Sequence, residues 1–457
     1  MKRPCINPAL RRSYDLRGVV GNTLSLEDAH GVGRTFAALA RERGARRIAV
    51  CRDGRLSSEE LQAELIRGLC EGGMQVMLMP LSHTPLMSFT VNRLGLDGGI
   101  MVTASHNPAE HNGFKLLLGS EPLHGEALGA LWEIEPTEYP GGSVEEVNLN
   151  EDYLAALSEE VEGLDSVSVA WDSGNGATGR LVEKLTIKLP WRHLALNTRI
   201  DGRFPNHHPD PSVAENLEEL AAAVVDGHYD LGLAFDGDGD RVGAVDSSGE
   251  VVWADELLLL LARDVLRERP YSAIAADVKS SRTLFDGIAA AGGRPVMVPS
   301  GYVKVRDCMI REHAPLAGEM SGHILFADRW HRVDDALYVA MRIIGALARS
   351  GQSLREFRES LPPTFATPEI RLGCPDADKT QVIDMIAARI NGEAIGIDRT
   401  DGLRVTERDG WWLLRASGTE AKLTARCEAQ DVLALERLKS RLAEHLRCAG
   451  LEPEGLC

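Results

Sequence analysis

At 457 residues the chain has room for about three domains, each with a core of its own. Hydrophobic residues at 44%, charged residues at 26% and aromatics at 5% describe an ordinary soluble globular protein, without disordered or low-complexity tracts. A net charge of -18 argues against a nucleic acid or an anionic membrane surface as partner, since both are held by clustered Lys and Arg; a small anion needs only a few local cations. The eight cysteines show no CxxC and no regular spacing, which excludes a disulfide scaffold or zinc knuckle and fits a reducing compartment. No apolar leader follows Met1, and the longest aliphatic run, Leu257–Ala262, is too short to cross a bilayer, so the expected location is the cytoplasm.

Tyr14, Asp15, Leu16, Arg17 and Gly18 form a turn-like cluster before a helix predicted from about Leu26 to Arg43, with Gly44 as its stop. A paired pattern then occurs three times. In each pair, an apolar run ends in Asp and a polar loop, and a later apolar run ends in a loop rich in Gly and charge. The first members end at Asp53, Asp172 and Asp277; the second lead to Ser105, to Asp236 and to Glu319. Helices predicted at Asn216–Asp226 and Asp255–Arg267 alternate with these runs, as a mainly parallel sheet requires. Pro- and Gly-rich joints near Pro140, near Gly249 and at Leu361–Pro368 read as domain boundaries. Beyond the last, helices around Lys379–Asn391 and Val432–Cys448 and strands around Leu403 and Trp411–Leu414 suggest a smaller α+β domain. The expected organisation is α/β: three related, mixed or mainly parallel α/β sandwich domains (1–148, 149–250 and 251–364), then an α+β domain (365–457).

Four loops carry chemistry. The run into Val102 is a strand that delivers Ser105 at its C-terminal edge, where open α/β sheets bind ligands, and Asn107-Pro108 and Asn112-Gly113 are turn signals. Asp236, Asp238 and Asp240 alternate with glycines, so three carboxylates can converge on one hard cation such as Mg²⁺; the distal glutamate of an EF-hand is missing. Glu319, Ser321 and His323 stand among glycines as a set able to read sugar hydroxyls. Arg415, Ser417, Gly418 and Thr419 offer a guanidinium, two hydroxyls and backbone N–H groups to a phosphate monoester. Together they imply phosphoryl transfer on a phosphorylated polyol, with Ser105 as carrier and Lys115 and Arg241 as charge stabilisers. No Gly-x-Ser-x-Gly surrounds Ser105, so a serine hydrolase does not compete.

With these four loops in this order, the chain resembles the α-D-phosphohexomutase superfamily, in its bacterial phosphomannomutase/phosphoglucomutase branch. Thr103–Pro108, Asp236–Arg241, Gly318–His323 and Arg415–Glu420 are similar to its phosphoserine, metal, sugar and phosphate loops, and Asp201–Pro211 is similar to a further stretch of that branch. The resemblance implies domains around a central cleft and a phosphate on Ser105, with Mg²⁺ held by that phosphate and by Asp236, Asp238 and Asp240. It also implies a hexose 1,6-bisphosphate that turns over in place as intermediate and activator. Arg415, Ser417, Gly418 and Thr419 would grip the idle phosphate. Glu319 and Ser321 would read hydroxyls, with Tyr14, Lys279 and His323 as further substrate contacts. Arg17, Lys115, Arg241 and His323 would stabilise charge and move protons, Lys115 being preferred as acid/base and His323 the alternative. The chain departs from the branch at Tyr302, where His is usual, and at Ala421, where Pro is common. Phosphoglucosamine mutase, against which Met320 weighs, and a weakly catalytic sugar-phosphate-binding protein are the alternatives.

Overall fold

The computed structural model describes residues 6–164, 166–375, 377–390, 396–417 and 422–456. The chain divides into two compact units, Met1–Asp264 with Ser321–Glu356, and Val265–Met320 with Phe357–Cys457.

The first unit holds two mixed sheets. In one, Arg47–Arg52 runs parallel to Gln75–Leu78 on one side and to Gly98–Val102 on the other. Gly98–Val102 pairs antiparallel with His111–Leu118, which pairs in turn with Leu16–Val19. Helices Leu26–Glu42 and Ser58–Glu71 pack together at Gly33 and Gly68, where a Cβ on either residue would come within 2.3 Å of the other helix's backbone oxygen. Only glycine permits that approach. Ser25 and Asp28 close a capping box at the start of the first helix, and Val32, Phe36, Leu65, Leu69, Ile48, Val50 and Ile100 share one core. In the other sheet, Ser168–Asp172 lies parallel to both Arg192–Leu196 and Leu231–Phe235, and Val242–Asp246 pairs antiparallel with the latter.

In the second unit Ala273–Asp277 lies parallel to Arg294–Val298 and to Leu316–Gly318. The C-terminal sheet is antiparallel: Gly410–Ala416 sits between Leu403–Thr406 and Lys422–Ala429, with helices Lys379–Arg389 and Val432–Cys448 packed on it around Ile386, Trp412, Leu414 and Leu442. Three mixed or mainly parallel α/β sheets and an antiparallel α+β sheet are the expected fold class. The predicted Asn391 end of the first of these helices lies outside the described residues.

Each pair of apolar runs read from the sequence is a pair of adjacent parallel strands. Arg52 aligns with Val102, Asp172 with Ala234, and Ala276 with Gly318. Gly98–Val102, Leu231–Phe235 and Ala273–Asp277 are buried at every position, so they read as continuous rather than alternating apolar runs. Two of the joints lie beside strands. The one near Pro140 is followed by Ser143–Glu146, which pairs with Gln75–Leu78 inside the first sheet; Gly249 sits in a turn between the paired strands Val242–Asp246 and Val251–Val252.

Candidate active site

Ser105 follows the buried strand Gly98–Val102 and is itself buried, with a left-handed backbone (φ 54°) rare outside glycine. Its N–H donates to Thr103 Oγ1 at 2.9 Å, and its Oγ donates to Asp236 Oδ2 at 2.8 Å and lies 3.2 Å from His106 Nδ1. The metal loop comes this close because Gly237 has no side chain: a Cβ there would lie 2.5 Å from the Ser105 carbonyl oxygen.

Asp236, Asp238 and Asp240 are buried, and each offers an oxygen within 4.8 Å of the others. Asp238 Oδ1 and Asp240 Oδ1 have no hydrogen-bond partner, an arrangement that costs several kcal/mol unless a cation or solvent meets it. Three hard oxygen donors with two open lone-pair sites fit a divalent cation. Lys115 Nζ reaches Asp238 Oδ2 at 2.6 Å and also bonds Asp240, while Thr84 donates to Asp238. Burial and the two neighbouring carboxylates push Asp236 well above the usual range. Against burial, Lys115 holds Asp238 and Asp240 below it, with Thr84 helping at Asp238 and His323 and Arg241 at Asp240. In return, and again against burial, the two carboxylates raise Lys115 well above an ordinary lysine.

Cations surround this cluster. Arg17 bonds Asp15 Oδ2 at 2.8 Å, Asn107 Oδ1 at 2.7 Å and the Ala104 carbonyl at 3.2 Å; burial opposes its charge, but Asp15, Tyr14 and Asp238 raise it overall. Arg241 Nε donates to His323 Nε2 at 2.9 Å, and His323 Nδ1 lies 2.8 Å from Asp334 Oδ2. Asp210, Asp236, Asp240 and Tyr14 favour the Arg241 charge against its burial. Burial, then Arg241, Arg17 and His323, push the His106 pKa well down, with Asp238 opposing. The first unit thus brings together Ser105, the three aspartates, Lys115, Arg17, Arg241 and His323, with Tyr14 beside the last two arginines' fields.

In the second unit Glu319 Oε1 accepts the Gly301 N–H at 2.6 Å, next to Tyr302, and the Met320 N–H donates to Asp277 Oδ1 at 3.2 Å. Asp401 Oδ2 joins two loops, accepting from Ser300 N at 3.1 Å and Arg415 Nε at 2.9 Å. The Ser417 carbonyl accepts from Lys379 Nζ at 2.9 Å; Gly418, Thr419, Glu420 and Ala421 lie outside the described residues. Lys279 Nζ is 3.8 Å from Glu369 Oε2, and its loop is gripped from the antiparallel sheet. Arg404 Nη1 donates to the carbonyls of Val278 at 2.7 Å and Ser280 at 2.9 Å, and Arg426 Nη1 to that of Lys279 at 3.0 Å. Ser321 belongs to the first unit.

Nothing in the sequence marks Asp334, Asp401, Arg404 or Arg426, which act through tertiary contacts. A weaker signal was on view. The aspartates that end the first strand of each pair organise loops: Asp53 accepts the Arg55 N–H at 3.0 Å, Asp172 the Gly174 N–H at 2.8 Å, and Asp277 the Met320 N–H. A second histidine-carboxylate group, Asp172, His207 and Glu219, is a hydrogen-bond network: His207 Nε2 lies 2.9 Å from Asp172 Oδ2, and Asn197 bridges Asp172 and Glu219.

A buried serine against a carboxylate triad, each following a strand of a mixed α/β sheet, defines a phosphoryl-transfer class of protein. Comparison with known proteins makes the class specific. The phosphoglucomutase/phosphomannomutase family matches in four segments: α/β/α domain I at residues 9–127, domain II at 151–249, domain III at 253–365 and the C-terminal domain at 369–445. The chain belongs to this family. It is 39% identical to the phosphomannomutase/phosphoglucomutase of Pseudomonas aeruginosa over 449 residues, covering 98% of this chain and 97% of that one. It is 40% identical to the phosphoglucomutase of Neisseria gonorrhoeae over 440 residues, 94% and 95% of the two chains. The solved structure of a phosphoglucomutase/phosphomannomutase family protein from Burkholderia thailandensis superposes with a TM-score of 0.90 at 35% identity, covering 97% and 98%. Among the described residues no helix is long and apolar enough to cross a membrane.

Proposed function

We propose that this chain is a phosphohexomutase that interconverts the 6- and 1-phosphates of mannose, glucose or both, with Ser105 as phosphate carrier. One observation carries the reading: the Ser105 hydroxyl lies 2.8 Å from Asp236 in a buried pocket of paired charge. The relatives' names favour this over phosphoglucosamine mutase.

Phosphorylated Ser105 gives its phosphoryl group to the free hydroxyl of a hexose phosphate; the bond to Ser105 Oγ breaks as one to the sugar oxygen forms. The resulting hexose 1,6-bisphosphate reverses in place and returns its other phosphate to Ser105. Asp236, Asp238 and Asp240 would hold Mg²⁺, which supplies Lewis-acid stabilisation of charge on the transferring group. Arg17, Lys115 and Arg241 balance the charge that remains on the enzyme. Of the two groups expected to move the proton, the geometry favours His323, because two carboxylates hold the Lys115 proton while Asp334 backs the imidazole of His323. Tyr14, Lys279, Glu319 and Ser321 are assigned to the sugar, and Arg415, Ser417, Gly418 and Thr419 to the phosphate that is not reacting.

The test is to incubate purified protein with mannose 1-phosphate or glucose 1-phosphate, Mg²⁺ and a trace of hexose 1,6-bisphosphate. Formation of the 6-phosphate is expected, and its absence with both sugars would sink the reading. Intact mass should show one phosphoryl group on the Ser105 peptide and none in Ser105→Ala.

A further inference from the structure

The conspicuous stretch Asp201–Pro211 reaches the site above only through Asp210, 3.9 Å from Arg241 Nη1, and it also lies across the loop that follows the strand Arg47–Arg52. A Cβ on Gly54 would come 2.1 Å from Ile200 Cγ2, and one on Gly202 would come 2.5 Å from Arg55 Cα, so the two segments meet backbone to backbone. Phe204, with a left-handed backbone (φ 51°), sets its ring 5.1 Å from the Arg55 guanidinium carbon.

The Arg55 side chain is wholly buried, an uncommon state for arginine. Its Nη1 donates to the carbonyls of Pro108 at 2.6 Å and His111 at 3.0 Å. Its Nη2 donates to those of Ser105 at 2.7 Å and Asn107 at 2.6 Å. Nε lies 3.2 Å from Asp53 Oδ2, and Asp53 is itself fixed by the Ser58 hydroxyl at 2.6 Å. One planar, rigid fork therefore ties together four main-chain carbonyls of the serine loop, which a lysine cannot do. The loop needs such a tie, because the left-handed conformation at Ser105 costs of order 1–3 kcal/mol and persists only where its surroundings over-determine it.

We propose that Arg55, capped by Phe204, is a positioning residue for phosphoryl transfer: it holds the left-handed turn at Ser105 so that Oγ stays against Asp236. This rests on the mutase reading above. Arg55 touches no reacting atom; its effect passes through the main chain of residues 105–111.

The experiment compares the wild-type enzyme with Arg55→Lys and Phe204→Leu in steady-state kinetics and in amide hydrogen exchange of the peptide spanning residues 103–113. In Arg55→Lys, kcat should fall about 100-fold, the scale of a 1 Å misplacement. KM for the hexose phosphate should stay within about threefold, since the groups assigned to grip it lie elsewhere. Exchange in the loop should accelerate while the strand Gly98–Val102 keeps its protection. Phe204→Leu should show the same pattern with kcat lowered about fivefold, the worth of one cation–π contact, and it supplies every readout if Arg55→Lys does not fold. A folded variant with wild-type kcat, or one whose loss lies in KM, overturns the proposal. An inactive wild type overturns the mutase reading instead. Because exchange needs no turnover, a loop with wild-type protection in both variants overturns the positioning role whatever the activity.

Discussion

Asp334 Oδ2 lies 2.8 Å from His323 Nδ1, while Arg241 Nε–H reaches the other ring nitrogen at 2.9 Å. The imidazole is thus held between a carboxylate and a guanidinium, beside the aspartate triad. His323→Ala should lower kcat by about 10²- to 10⁴-fold, the range of a lost general acid–base group. Asp334→Ala should cost less alone and little more once His323 is gone. Turnover measured for both single variants and the double variant checks this, and additive losses would show that the two residues do not act together.

The carboxylate triad should bind its cation through all three side chains. Replacing Asp238 by Asn keeps the shape and removes one charge, and it leaves the Lys115 ammonium with Asp240 as its remaining carboxylate partner. Affinity for Mn²⁺, followed by electron spin resonance, should weaken at least tenfold, and a chelator should abolish turnover in the wild type. Unchanged Mn²⁺ affinity in Asp238→Asn would place the cation elsewhere.

How much of this was legible in the sequence follows from how each residue acts. Ser105 and the Asp236–Asp240 triad stand out because their chemistry is concentrated in a few consecutive positions after an apolar run. The same holds for the pairing of strands, since a parallel partner buried on both faces leaves an unbroken apolar signature. Asp334, Asp401 and Arg55 do not stand out, for each acts on groups supplied by other turns of the chain. A buried arginine that binds carbonyls has the same letter as one on the surface.

In the second unit, Arg404 stacks 3.7 Å from the centre of the Trp411 ring and donates to two buried carbonyls flanking Lys279. Burial brings its pKa down to about 10, still far above neutrality. Arg404→Met keeps the stacking surface and strands the carbonyls of Val278 and Ser280. Unmet buried acceptors cost about 1–3 kcal/mol each, so the thermal midpoint should fall by several degrees. KM for the hexose phosphate should rise with it, as Lys279 loses its fixed backbone. Calorimetry and saturation kinetics check the two effects, and a variant with unchanged midpoint would show that the grip on this loop contributes nothing.

Asp335 gives a prediction about pH. It is buried at the start of the helix Ala336–Ser350, where its Oδ1 accepts from Tyr153 Oη at 2.7 Å and from the Tyr338 N–H at 3.1 Å, and its Oδ2 accepts from Trp330 Nε1 at 3.2 Å. Burial pushes the carboxyl up, and these donors pull it only part of the way back, to about 7. In the unfolded chain it titrates near its ordinary value of about 3.9. Between those values the folded protein holds a proton that the unfolded chain has lost, so the contribution to stability is present below about pH 4 and declines as pH rises to about 7. Integrated over that window, the shift corresponds to about 4 kcal/mol. Asp335→Asn is neutral throughout and keeps an oxygen for Tyr153 and the helix cap, while its amide opposes the Trp330 N–H by an amount that does not vary with pH. The difference in thermal midpoint between wild type and Asp335→Asn should therefore shift against the wild type between pH 5 and pH 8. A difference that stays constant across that range would mean that Asp335 is ionised at both ends of it.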